Sequence, residues 1–118
     1  MSIDQYKLEI VRLEKQSATL HGDLARQEEV ANKARTEAEK KRRSASTSKS
    51  VSLAHSYLRN AESEEKKAVV AQKKIGEIRS KLATLADRKR SKERALSSAE
   101  KSAASASDRS DQQRLLKE

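Results

Sequence analysis

The sequence predicts an all-α chain, folded as an antiparallel two-helix coiled-coil hairpin with a longer second helix and paired as a dimer. Three observations point there. The 118 residues are 38% charged and 34% hydrophobic, with no Pro, Phe, Trp or Cys. Apolar residues recur every seven positions in alternating steps of three and four, as a coiled-coil seam requires. A Ser-rich run breaks this repeat once, between residues 44 and 51.

The composition excludes several classes of protein. Burial stabilises in proportion to apolar area removed from water, and the large apolar side chains here are too few to fill a rounded interior. They suffice for a narrow stripe along a helix. Ala, Glu, Lys, Leu and Arg without Pro are the residues of long helices. Low hydrophobicity with a net charge of +9 is also compatible with disorder, but the regular repeat argues against it. Without Cys there is neither disulfide nor thiolate metal site. The start, Met1-Ser2-Ile3-Asp4-Gln5, lacks the basic and apolar stretches of a signal peptide. No apolar run reaches transmembrane length. A cytoplasmic location is the expectation.

The first helix is read over residues 1–43, with Ser2 or Asp4 as N-cap. One seam position holds Ile3, Ile10, Ser17, Leu24, Ala31 and Ala38; the other holds Tyr6, Leu13, Leu20, Gln27, Ala34 and Lys41. Residues 44–51 read as the turn, because Ser and Thr side chains compete for nearby backbone groups. Ser50 or Ser52 caps the second helix, read over 52–116. Its seam alternates Ala54, Ala61, Ala68, Ile75, Leu82, Lys89 and Leu96 with Tyr57, Glu64, Ala71, Ile78, Leu85, Lys92 and Ala99, and continues through Ala103 and Ala106.

Folding the chain about residues 44–51 pairs large seam residues with large ones. Leu24 meets Val70 and Ala71, Leu20 meets Ile75, Leu13 meets Leu82, and Ile10 meets Leu85. Near the turn, Ala31, Ala34 and Ala38 face Ala61 and Tyr57. Residues 1–39 hold six Lys/Arg and eight Asp/Glu, a net of −2; residues 50–91 hold ten and five, a net of +5. Opposite flanking charge favours this pairing, although each exposed pair contributes only about 0–1 kcal/mol. The hairpin is expected to end where Ile3 reaches Ser91 or Lys92, leaving 92–116 overhanging. Leu96, Ala99, Ala103 and Ala106 then form a stripe for self-association. A thin core also favours oligomerisation, so a homodimer is expected.

No cluster suggests catalysis, and neither enzyme activity nor a cofactor is expected. His21 and His55 lack converging partners. Glu62, Glu64 and Glu65 read as partners for neighbouring Lys and Arg, and the Glu-x-x-His arrangement of di-iron bundles is missing. Gly22 and Gly76 lie outside the seam and read as surface positions. The strongest surface feature is Lys40-Lys41-Arg42-Arg43, which suits a helix C-terminus as a solvated tip. Its rivals are contact with nucleic acid, with an anionic membrane or with an acidic protein, and no aromatic residues interleave to stack bases.

Three segments together carry a resemblance: Met1-Ser2-Ile3-Asp4-Gln5-Tyr6 with Glu9-Ile10-Val11-Arg12-Leu13-Glu14-Lys15, the Ser-rich break, and Ser56-Tyr57-Leu58-Arg59-Asn60-Ala61-Glu62. The whole chain resembles the N-terminal coiled-coil region of bacterial Toll/interleukin-receptor (TIR) domain proteins. That resemblance implies a TIR domain after Glu118, with the NAD-cleaving activity and its catalytic glutamate there. It implies for this chain a non-catalytic role in bringing copies together for signalling or defence. Two alternatives stand beside it. The chain is also similar to the secretion and flagellar export stalk proteins, free-standing basic hairpins with unequal arms. A nucleic-acid or membrane tether acting through residues 40–49 is the other.

Overall fold

The computed structural model describes residues 1–117, with side chains through Leu116. Its described residues form two helices and no strand: α1, Ile3–Thr47, and α2, Val51–Lys117. They make a two-helix hairpin whose second helix is the longer, 67 residues against 45.

Hydroxyl chemistry sets the helix ends. Ser2 caps α1: the Gln5 N–H donates to Ser2 Oγ at 3.2 Å, while the Ser2 N–H donates to Gln5 Oε1 at 2.8 Å. This reciprocal pair is a capping box, satisfying two donors at once. Asp4 in the first turn suits the positive end of the helix dipole. At α2 the Leu53 N–H donates to Ser50 Oγ at 3.3 Å, which makes Ser50 the cap rather than Ser52.

The connection is shorter than the expected 44–51. Helix α1 continues through Thr47, so only Ser48, Lys49 and Ser50 join the two helices. The Ser/Thr run that predicts a loop is accommodated inside the helix instead. Ser46 Oγ donates to the Arg43 carbonyl at 2.9 Å, and Thr47 Oγ1 donates to the same oxygen at 3.1 Å. Such back-bonding to the preceding turn satisfies the hydroxyls without unwinding the backbone. Ser48 and Ser50 then tie the turn together, with the Ser50 N–H donating to Ser48 Oγ at 3.2 Å. No residue of the turn takes a positive φ, which explains why no Gly is needed there.

The chain divides into two compact units. One is Thr19–Leu82, containing the turn. Its centre is a cluster of Ala31, Ala71 and Ile75, each no more than 2% exposed, with Leu24 packed against them. Ala34, Ala38, Ala61 and Ala68 are also buried, and Leu20, Tyr57, Ile78 and Leu82 are half-buried. Alanine seams let two helices approach closely, and burying Ile75 contributes about 2 kcal/mol.

Leu24 packs against the cluster that holds Ala71, as expected, but the placement of Ala31 corrects the expected register. Ala31 joins Ala71 and Ile75 rather than facing Ala61 and Tyr57. Relative to the expected pairing, α2 is slid by roughly one helical turn. A hairpin's register follows from where its turn sits, and the turn lies at Ser48–Ser50, toward the C-terminal side of the expected stretch. Ion pairs along this unit follow the same offset. Arg42 pairs with Glu65, the Arg35 guanidinium donates to Gln72 Oε1 at 2.7 Å, and Arg79 lies 3.4 Å from Glu28. Moving toward the start of α1 moves toward the end of α2, so the helices are antiparallel.

The other unit is Met1–Ala18 with Ala83–Glu118. Leu13 and Leu85 are buried; Ile3, Tyr6, Ile10, Leu96 and Ala99 are half-buried. Lys89 bridges Glu14 at 3.2 Å and Glu93 at 3.7 Å. Lys92 lies over the Tyr6 ring at 6.0 Å. The overhang therefore does not begin at residue 92. Half-burial persists to Ala99, and every residue from Glu100 to Leu116 is exposed.

Candidate interaction surfaces

Three surfaces follow from this arrangement: the seam, the exposed arm of α2, and the cations flanking the hairpin. The seam is a structural surface. Ile3, Tyr6, Ile10, Leu13, Leu20, Leu24, Tyr57, Ala68, Ala71, Ile75, Ile78, Leu82 and Leu85 are all buried or half-buried. Among the described residues, no group of three or more His, Cys, Asp or Glu could hold a metal ion. His21 and His55 are both exposed. No described helix is long and apolar enough to cross a membrane.

On the arm, the four stripe residues separate into two kinds. Leu96 and Ala99 are half-buried, whereas Ala103 and Ala106 are exposed. Leu115 and Leu116 add apolar surface near its end, 68% and 87% exposed.

At the turn end of α1, each cation of the basic block already has a contact. Lys40 lies 3.6 Å from Glu37, and Arg43 lies 2.8 Å from Glu39. Arg42 pairs with Glu65, and Lys41 sits 5.7 Å from the centre of the Tyr57 ring. Four consecutive cations thus spend their charge on neighbours. The acidic run behaves similarly: Glu64 takes Lys67 at 3.0 Å and Glu65 takes Arg42.

Other cations are unengaged. Among the described residues, Lys66, Lys73, Lys74 and Lys81 of α2 make no ion pair or hydrogen bond, and neither do Lys7 and Lys33 of α1. The spacing of the α2 lysines is visible in the sequence, where Lys66 and Lys73, and Lys74 and Lys81, stand seven residues apart beside the seam. A reading drawn to the contiguous block at 40–43 overlooks cations separated along the chain but aligned on the helix.

Comparison with family models, with curated proteins and with solved structures gives no match.

Proposed function

We propose that the chain is a non-catalytic assembly and spacing module. The observation that carries this reading is α2. It runs unbroken to Lys117 and, from Glu100, presents every side chain to solvent through Leu116. A helical extension without packing partners is marginal in water, because most helical stability comes from packing of an apolar face. The arm gains that packing from a second copy, through Leu96, Ala99, Ala103 and Ala106. Self-pairing fixes the number of copies and the distance between whatever is joined to them. Tethering of that kind strengthens weak contacts by raising effective concentration. The TIR resemblance supplies a suitable client, a signalling domain that acts when copies associate in the bacterial cytoplasm.

A free-standing export-stalk-like adaptor is the second reading, favoured by the unequal helix lengths. Sedimentation equilibrium tests the module. Mass should rise from monomer to dimer with concentration, and Ala103→Glu with Ala106→Glu should hold the chain monomeric. A monomer at every concentration would remove the assembly reading and leave the adaptor.

A further inference from the structure

We propose that the groove beside Val30 and Val70 is the docking site for an acidic amphipathic helix of a partner protein. The site lies wholly within the Thr19–Leu82 unit and does not depend on the chain pairing with itself. Its groove has a volume of about 450 Å³, with Gln27, Val30, Lys66, Lys67, Val70 and Lys74 in its walls. A neighbouring groove shares Lys66 and Val70 and adds Val69, with Glu62 and the Arg42-paired Glu65 on its far wall.

The floor is apolar where nothing within the chain requires it. Val30, Val69 and Val70 are 47%, 69% and 54% exposed. β-Branched side chains are poorer helix formers than the Ala, Lys and Glu filling most of this surface. Exposed valines therefore give the isolated hairpin no local advantage, but they provide a floor for an apolar helix face. The rim is basic, with Lys66, Lys67 and Lys74 lining it. Lys67 pairs with Glu64 at 3.0 Å, whereas Lys66 and Lys74, like Lys73 and Lys81 further along the helix, have no ion pair or hydrogen bond among the described residues. Lysines seven residues apart on a helix stand about 10.5 Å apart, the repeat at which a second helix presents its own flanking residues. Apolar anchors flanked by carboxylates at that interval would match floor and rim together, the helix-in-groove mode of recognition.

Other occupants fit less well. A second copy packed across a two-fold axis would set this lysine-rimmed patch against itself, and like charges brought together oppose association. Nucleic acid would satisfy the lysines but leave the valines against phosphate and sugar. It would also need stacking platforms, and Tyr57, the aromatic residue of this unit, is half-buried beneath Lys41.

The test uses the full chain and defined probes. A fluorescein-labelled peptide of about four heptads, with Leu at its seam positions and Glu flanking them, is titrated by anisotropy. The same peptide with Lys in place of Glu, a DNA duplex and phosphatidylserine vesicles are titrated alongside. The acidic peptide should bind and the basic one should not. Val30→Ser with Val70→Ser should weaken binding by about tenfold or more while helicity is unchanged. Lys66→Glu with Lys74→Glu should abolish it. Lys101→Glu with Arg109→Glu, an equal change of charge on the arm, should alter it by less than about twofold. No binding of the acidic peptide overturns the proposal. So does binding indifferent to the valines, which would be charge attraction alone, or equal loss on reversing the arm charges. Binding of the duplex or vesicles in preference to the peptide, lost on reversing Lys66 and Lys74, assigns the patch to those ligands and also overturns it.

Discussion

At the scale of single residues, this hairpin concentrates its stability in few places. Ile75 is 2% exposed and meets Ala31, Ala71 and Leu24. Truncation removes transfer energy and leaves a cavity, typically a loss of about 2–5 kcal/mol for Ile→Ala in a packed core. A two-helix seam collapses more readily than a globular core, so Ile75→Ala should cost about 2 kcal/mol, read from the shift of the urea midpoint. Leu24→Ala should cost less, because Leu24 is only half-buried. A larger loss for Leu24 than for Ile75 would contradict the observed register. Gly76 offers the opposite change. A Cβ added there meets nothing within 4 Å, and the residue has no positive φ. Gly76→Ala should therefore stabilise the helix by about 0.5–1 kcal/mol. An unchanged or lowered midpoint would show that the position serves a bend or a contact.

At the scale of the helices, the seam was legible because burial imposes its period on the sequence. Every seam position assigned from Ile3 to Lys41, and from Ala54 to Ala99, is buried or half-buried. The turn was less legible. Ser46 and Thr47 carry the composition of a loop, and only their hydrogen bonds to Arg43 reveal that they finish a helix. The register depends on the turn, so an error of a few residues at the turn became an error along the pairing. The lysine row on α2 was readable in principle, but its importance depends on which cations remain unpaired, and the sequence alone does not say. A local prediction follows from the exposed arm. Backbone amides from Ser102 to Arg114 should exchange hydrogen for deuterium far faster than those around Ala71 and Ile75, because local opening is easiest where few apolar contacts are buried. Raising protein concentration should slow exchange in the arm and leave the seam unchanged. If the arm is as protected as the seam in dilute monomer, it is stable without a partner and the main argument for its self-pairing fails.

At the scale of the whole molecule, the question is how two copies would be oriented, since orientation decides what a spacing module does. Parallel pairing would place equivalent ends side by side. Antiparallel pairing would hold them apart. The arm's charges favour the second arrangement. Glu100 and Arg114 occupy the same flanking heptad position two repeats apart, and flanking charges of opposite sign set the orientation of a coiled coil. An antiparallel overlap centred near Ser107 places Glu100 of one copy beside Arg114 of the other, twice by symmetry. A parallel overlap instead brings Arg109 of one copy toward Arg114 of the other, a repulsive pair. Each exposed pair contributes only about 0–1 kcal/mol, enough to choose between two orientations of an otherwise similar Ala-rich stripe. The chain has no Cys, so single substitutions report without background. Under mild oxidation, Ala106→Cys should form a disulfide-linked dimer, because residues near the crossing point meet their own symmetry mates. Ala99→Cys should not, since antiparallel helices carry it away from its equivalent, and a disulfide needs Cα atoms within about 7 Å. Efficient cross-linking at both positions would establish parallel pairing. That result would favour a role in bringing equivalent ends of two copies together, whereas cross-linking at Ala106 alone would make the arm a device for holding those ends a fixed distance apart.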